Sequence, residues 1–242
     1  MAGSSGAARE NQLGSASTRA SRTVWFFDLD NTVHNASHHV FGALNVAMTD
    51  YIVRHLGVDR PEADRLRGLY WARYGATLLG LVRHHGVRVD HFLQETHSLP
   101  GLEALVHSHA HDLAALRRLP GRKILLTNAP EVYARRVLKA LGLQRLFERV
   151  IGFESMRMFG QHRPKPDTRM LRWVCARQRL APGRCELVED TLVHQKAARA
   201  VGMRTVWMQR WVGQHGPEAG VRLRRRPVYV DRRVAGLASL MR

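Results

Sequence analysis

From residue 122 onward, short apolar runs alternate with amphipathic segments, and this pattern constrains the fold more than any other feature. Runs with the length and composition of buried strands are KILLTN (123–128), RVIGFE (149–154), CELVED (185–190) and RTVWM (204–208). PVYVD (227–231) and VAGLASLM (234–241) are expected to add a last strand and a last helix. Strands that alternate with helices form βαβ units. The pattern predicts an α/β protein with a Rossmann-like, doubly wound parallel sheet.

The first strand, VWFF, lies far upstream and is followed by a long helical segment. Residues 36–118 carry apolar positions at helical spacing and no convincing strand. Pro61 lies near one predicted helix start and Gly86 follows the end of that helix. The sequence therefore predicts a tail that we expect to be disordered (1–22), a discontinuous α/β core (23–35 and 119–242) and a helical cap (36–118).

The charge balance bears on the partners. The formal net charge is +18, and nearly all of the positive charge is arginine, spread along the chain. Its one dense run is RLRRRP (222–227), and the sequence shows no RNA-binding aromatic motif and no zinc finger. These features argue against a dedicated nucleic-acid binder and favour a general attraction for anionic substrates.

Localisation follows from what the chain lacks. No apolar stretch approaches the roughly 20 residues of a membrane span. The first 22 residues lack the apolar middle of a secretory signal. The two cysteines, Cys175 and Cys185, show no metal-type spacing, which is typical of a reducing compartment. We therefore expect a cytoplasmic protein without membrane contact; the oligomeric state stays open.

Polar side chains follow the predicted strands at their ends, where sites form in parallel sheets. They are Asp28 and Asp30 after the first strand, Thr127 and Asn128 after the second, and Glu189 and Asp190 after CELV, with Lys165 between two prolines in RPKPD. Carboxylates packed so densely repel one another unless a cation or a proton joins them. Oxygen ligands suit Mg²⁺. The set indicates a Mg²⁺-dependent phosphoryl-transfer site with a carboxylate nucleophile.

These fragments resemble, in their order, the motifs of the haloacid dehalogenase (HAD) superfamily of hydrolases. The matching fragments are DLDNT, LLTN, KP, and VEDT followed by KAARAVGM, and they span about residues 23–213. The resemblance implies a HAD core with an inserted, all-helical cap of the C1 type. It also implies catalysis through an aspartyl phosphate with Mg²⁺ as cofactor.

Roles follow from the motifs as the resemblance implies them. By this resemblance, the nucleophile is Asp28 and the general acid and base is Asp30. The metal is held by Asp28, the Asp30 carbonyl and Asp190, and the phosphate is bound by Thr127, Asn128 and Lys165. The residues that support the site are Thr32 and Glu189. Glu189 stands where the family commonly has Asp. Members that cleave carbon–halogen bonds lack the second Asp, so Asp30 favours phosphate chemistry.

Substrate choice is expected to lie with the cap. The segment YWARYGATLLGLVRHHGV (70–87) resembles the pyrimidine 5′-nucleotidase branch, which implies nucleoside monophosphates such as UMP and CMP as substrates. Arg73, Tyr74 and Thr77 are the candidate cap contacts. The alternatives are a HAD phosphatase of sugar phosphates or of small phosphomonoesters in general, a mutase, and a non-catalytic, basic nucleic-acid-binding protein. The intact motif residues argue against the last.

Overall fold

A computed structural model describes residues 23–212 and 225–241. The predicted tail and the first half of the Arg-rich run lie outside these ranges. The strands are β1 (Val24–Phe27), β2 (Arg122–Leu126), β3 (Arg149–Ile151), β4 (Arg157–Met158), β5 (Gln161–His162), β6 (Cys185–Glu189), β7 (Arg204–Met208) and β8 (Arg232–Val234). Six of them form one sheet in the order β3-β2-β1-β6-β7-β8, with every pairing parallel. β4 and β5 form a separate antiparallel hairpin.

The helices are α1 (Val40–Leu56), α2 (Arg60–Tyr74), α3 (Thr77–His85), α4 (Val89–His97), α5 (Leu102–Leu105), α6 (Ala110–Arg118), α7 (Glu131–Ala140), α8 (Thr168–Arg177) and α9 (Leu192–Ala200). Short 3₁₀ turns lie at Phe153–Ser155, Pro182–Arg184 and Leu237–Met241. None of the helices in the described part of the chain combines the length and apolar character that crossing a bilayer requires.

The central strand β1 is buried on both faces of the sheet. Trp25 and Phe27 pack in one apolar cluster, with α7, whereas Val24 and Phe26 pack in another, with α8 and α9. Successive side chains of a strand point to opposite faces, so an all-apolar strand needs a helix layer on each side. The predicted α/β class, a doubly wound parallel sheet, is confirmed.

The insert between β1 and β2 is helical, as predicted: residues 36–118, all of them described, contain α1 to α6 and no named strand. Its own apolar cluster joins α1, α2, α3 and α4, with Tyr51, Leu81 and Phe92 among its buried members. Leu102 of α5 and Leu116 of α6 pack instead in the cluster that covers the sheet, which the start of α1 also joins through Val40 and Leu44. We therefore propose a cap of α1 to α4, shorter than the predicted 36–118.

The C-terminal strand lies later than the sequence suggested. PVYVD was the expected strand, but β8 covers Arg232–Val234. The carboxylate of Asp231 accepts hydrogen bonds from the backbone N–H of Thr205, at 2.9 Å, and from its hydroxyl, at 3.2 Å. This contact holds the chain beside β7, and the pairing of β8 with β7 begins only after it. The expected last helix is a 3₁₀ turn, Leu237–Met241.

Candidate active site

The topology brings the acidic motifs together. β6 is the parallel neighbour of β1, with Val188 opposite Phe27, and the backbone N–H of Asp28 donates to the carbonyl of Val188. Asp28 and Glu189 therefore leave the sheet side by side. β2 flanks β1 on its other side and delivers Thr127 to the same edge.

Lys165 lies at the centre of the site. Its Nζ is 2.7 Å from Asp28 Oδ1 and 2.6 Å from Glu189 Oε2, and its side chain is 1% exposed. A buried ammonium placed between two carboxylates offsets their repulsion and fixes their positions. Glu189, expected only to support the site, is thus a direct partner of the lysine.

A third carboxylate, that of Asp190, lies beside the two that contact Lys165. Oxygen atoms of Asp28, Glu189 and Asp190 lie within 4.8 Å of one another. Burial, reinforced by repulsion from Glu189, raises the pKa of Asp28 to about 7 although Lys165 opposes the rise. Burial and the charges of Glu189 and Asp28 raise the pKa of Asp190 well above its usual range. In their ionised forms these three carboxylates carry more negative charge than Lys165 balances, and an all-oxygen donor set of this kind fits Mg²⁺.

The pKa of Glu189 shifts in the opposite direction from those of Asp28 and Asp190. Burial raises the pKa of its carboxyl, but Lys165 and His194 outweigh burial and hold the pKa below its usual range. His194 Nδ1 lies 3.1 Å from Glu189 Oε1. The side-chain amide of Gln195 donates to the Glu189 carbonyl at 2.8 Å. His194 and Gln195, at the start of α9, were not singled out from the sequence.

Asp30 faces a different set of partners. Its Oδ1 accepts a hydrogen bond from the Tyr133 hydroxyl at 2.7 Å and lies 2.8 Å from His34 Nε2. Burial and the charge of Asp30 raise the pKa of Tyr133 well above its usual range, so the phenol remains a donor. The ring of His97 meets the Tyr133 ring edge-on, at 5.8 Å between centroids.

The site residues predicted from the sequence did not include Tyr133, His34 or His97. Only His34 lies close to a motif, four residues after Asp30, and that spacing was the one available signal.

The side chain of Asn128 joins two loops of the site. Its Oδ1 accepts from the Lys165 N–H and its Nδ2 donates to the Lys165 carbonyl, each at 2.9 Å. Both ends of the amide therefore position the lysine, and a direct contact of Asn128 with phosphate stays a prediction. Thr127 is buried beside it, and its Oγ1 accepts from the backbone N–H of Ala129 at 3.1 Å. Thr32 is fully buried, and no hydrogen-bond partner for its Oγ1 is found among the described residues.

The cap residues that were predicted to contact substrate lie in different surroundings. The hydroxyl of Thr77 donates to the carbonyl of Arg67 at 3.0 Å and is buried, so it serves the cap itself instead of facing a substrate as expected. Arg73 is exposed, with its guanidinium 5.5 Å from the centre of the Tyr74 ring. The next residue, Gly75, turns the chain at a φ of 77°, and a Cβ built on it would lie 4.0 Å from Pro166. The α2–α3 turn therefore reaches the loop that carries Lys165.

Comparison with known proteins identifies one family. A family model described as haloacid dehalogenase-like hydrolase matches residues 23–202. Phosphate metabolism protein 8 of Saccharomyces cerevisiae is 30% identical over 138 residues, which are 52% of this chain and 42% of that protein. The chain thus spans less than half the length of this curated relative.

Solved structures of other proteins share the fold of this chain. A HAD phosphatase from Thermococcus onnurineus matches with a TM-score of 0.60 at 20% identity, over 90% of this chain and 95% of that one. The HAD-hydrolase YfnB from Bacillus subtilis, described with bound magnesium, matches with a TM-score of 0.53 at 16% identity, over 90% and 96%. Structures of dehalogenases share the same fold. The fold alone therefore does not choose between phosphate and halide chemistry.

Proposed function

The chain belongs to the haloacid dehalogenase-like hydrolases, and from that premise we propose that it is a Mg²⁺-dependent phosphomonoesterase acting through an aspartyl phosphate on Asp28. The observation that carries the proposal is the Lys165 ammonium held between Asp28 and Glu189, with Asp30 anchored separately by Tyr133. This arrangement supports the assignment of Asp28 as the nucleophile and of Asp30, which has other partners, as the group that transfers protons. Members that cleave carbon–halogen bonds lack the second carboxylate, so its presence favours phosphate esters.

The proposed reaction has two steps. A carboxylate oxygen of Asp28 attacks phosphorus, the bond from phosphorus to the ester oxygen breaks, and Asp30 gives its proton to the leaving oxygen. Water then attacks the phosphorus of the aspartyl phosphate while Asp30 takes the proton of that water. Inorganic phosphate leaves and the Asp28 carboxylate is restored. Lys165 and Thr127 bind the phosphoryl oxygens in both steps.

The metal would be held by Asp28, Asp190 and the backbone carbonyl of Asp30. Burial, and after it repulsion from the neighbouring carboxylates, raises the pKa values of Asp28 and Asp190, which supports a site that is stabilised by a bound cation. A bound divalent cation would neutralise the excess charge and stabilise charge on the transferred phosphoryl group. Lys165 meanwhile keeps the nucleophile aligned.

For the substrate we propose a nucleoside 5′-monophosphate, with UMP and CMP preferred. Beside the sequence resemblance of the cap, the support is the α2–α3 turn next to Pro166. Around it lie the Tyr74 ring and the guanidinium groups of Arg73 and Arg83, the latter 5.9 Å from the ring centre. An aromatic ring flanked by cations suits a substrate that combines a flat base with a phosphate.

The test measures phosphate release from UMP, CMP, dUMP, dTMP, AMP, GMP and several sugar phosphates, with Mg²⁺ and with EDTA. Asp28→Asn is the matched control because it is nearly isosteric and removes the nucleophile. We expect release from UMP and CMP that is abolished by EDTA and by the substitution. Full activity of Asp28→Asn would refute the mechanism.

A second candidate is a phosphatase of sugar phosphates or of small phosphomonoesters in general, which the same carboxylates and lysine would serve. Fast turnover of a sugar phosphate with weak nucleotide turnover would keep the mechanism and overturn the substrate assignment. No release from any compound, with salt-sensitive RNA binding, would favour the basic binding protein instead.

A further inference from the structure

A second group of metal-ligating side chains lies in the cap, outside the carboxylate site. His55 belongs to α1, and His91 and Glu95 belong to α4, four residues apart. One ligand atom from each lies within 4.8 Å of the other two. Glu95 Oε1 is 2.7 Å from His91 Nε2, and Glu95 Oε2 is 3.3 Å from His55 Nε2. One carboxylate thus faces two imidazoles that come from different helices.

We propose that His55, His91 and Glu95 form a binding site for a transition-metal ion, with Zn²⁺ as the best fit. Two imidazole nitrogens and one carboxylate oxygen are a frequent zinc donor set, completed by water at a fourth position. Imidazole ligands disfavour Mg²⁺, which sets this site apart from the carboxylate site. Zinc–ligand distances of about 2.0–2.2 Å place tetrahedral ligands about 3.3 Å apart. The two carboxylate–imidazole separations, 2.7 and 3.3 Å, lie near that value, and the three ligand atoms all lie within 4.8 Å of one another.

The surroundings of His91 orient it as a ligand. The Tyr51 hydroxyl lies 3.0 Å from His91 Nδ1, which leaves Nε2 directed at Glu95. A hydrogen bond at the second ring nitrogen fixes the tautomer and the ring plane of metal-bound histidines. Tyr51 is itself buried, packs edge-on against Phe92 and has its ring centre 4.2 Å from that of His55. Both imidazoles therefore pack against the same buried side chain, that of Tyr51.

Arg54 is the competing partner. Its Nη2 donates to Glu95 Oε2 at 2.7 Å, but its side chain is 58% exposed. An exposed ion pair contributes little free energy, so a metal can displace this cation at small cost.

Metal binding would join α1 to α4. Because the ion binds only the folded arrangement of the two helices, it would stabilise the cap by an amount that grows with the logarithm of the ion concentration relative to its dissociation constant. A simple network of two histidines hydrogen-bonded to Glu95 would share this geometry but would bind no metal, and the experiment separates the two.

The experiment uses Co²⁺ as a spectroscopic probe for Zn²⁺. The full chain is stripped with EDTA, saturated with Mg²⁺ to occupy the carboxylate site, and titrated with Co²⁺. We expect one equivalent to give the intense visible absorption of tetrahedral Co²⁺ and to be displaced by Zn²⁺. Substituting His55→Gln or His91→Gln should remove the absorption, and Tyr51→Phe should weaken binding about 10- to 100-fold. These variants keep the Mg²⁺ site, so the result is independent of phosphatase activity.

His107→Gln is the matched control, because His107 is an exposed histidine near His38 and His109. Absence of the tetrahedral spectrum in the unsubstituted protein would overturn the proposal. So would a spectrum that persists in both His55→Gln and His91→Gln, or one that disappears in His107→Gln. Circular dichroism establishes that each variant is folded; if His91→Gln is not, His55→Gln, on the exposed end of α1, decides.

Discussion

At the scale of single residues, the site separates two carboxylates that lie only two positions apart in the chain. Asp28 is paired with the buried ammonium of Lys165, whereas Asp30 is held by the neutral hydroxyl of Tyr133 and by His34. An ammonium favours the ionised form of its partner, while a hydroxyl orients a carboxyl without adding a charge. In the proposed mechanism these different neighbours would suit Asp28 to attack phosphorus and Asp30 to transfer a proton.

Removing the hydroxyl of Tyr133 tests that separation. Tyr133→Phe keeps the buried ring and deletes the hydrogen bond to Asp30. A hydrogen bond to a charged group contributes about 1.5–3 kcal/mol, and about 1.4 kcal/mol corresponds to a tenfold change in rate. We expect kcat to fall about tenfold or more with KM nearly unchanged, measured on the best substrate of the panel.

Tyr229→Phe is the control for that measurement, because Tyr229 lies at the sheet edge, where its carbonyl accepts from the Thr205 hydroxyl. An unchanged kcat in Tyr133→Phe would remove Tyr133 from the positioning of Asp30. A rise in KM alone would indicate substrate binding instead.

At the scale of elements, the carboxyl ends of β1, β2 and β6 carry the site, and the loop before α8 completes it. The loop has no strand of its own to place Lys165. Its position depends on the two hydrogen bonds between Asn128, which follows β2, and the backbone of Lys165. The side-chain amide of Asn128 therefore fixes the loop of Lys165 to the end of β2.

Asn128→Ala should release that loop. Each lost hydrogen bond costs about 1 kcal/mol, so we expect the free energy of unfolding to fall by about 2 kcal/mol, measured by urea denaturation. Turnover should fall more than tenfold because Lys165 then loses its alignment with Asp28. Asn128→Asp keeps the acceptor for the Lys165 N–H but loses the donor, so an intermediate loss is expected. Equal, wild-type turnover in both variants would contradict this role.

The local sequence was sufficient to predict those strands that carry an apolar pattern of their own. Four strands, β1, β2, β6 and β7, coincide with predicted runs. The polar residues at the ends of β1 and β6 include three predicted site residues: Asp28, Asp190 and Glu189, which contacts Lys165. β8 was misplaced because Asp231 is bound to Thr205, 26 residues away in the chain. Tyr133 was missed for the same reason: it meets Asp30 across 103 residues. Contacts between distant segments leave no periodic signal in the sequence.

At the scale of the whole molecule, the cap and the core are coupled where the end of α4 meets α7. His97 is the last residue of α4, and its ring packs on Tyr133. Burial lowers the pKa of His97 to about 4, although Asp30 opposes the fall. The folded protein therefore holds His97 neutral at pH values where the unfolded chain protonates it.

The consequence is a pH-dependent stability. Between pH 6.5 and 4 the unfolded state binds the proton that the folded state excludes, so the free energy of unfolding decreases as the pH falls through that window. The displacement of the His97 pKa corresponds to about 3 kcal/mol. In His97→Gln we expect this slope, measured by urea denaturation in EDTA at half-unit steps of pH, to be shallower by up to one proton. His111→Gln, which replaces an exposed histidine at the start of α6, should keep the original slope. Identical slopes in the two variants would show that His97 is protonated as readily in the folded as in the unfolded chain.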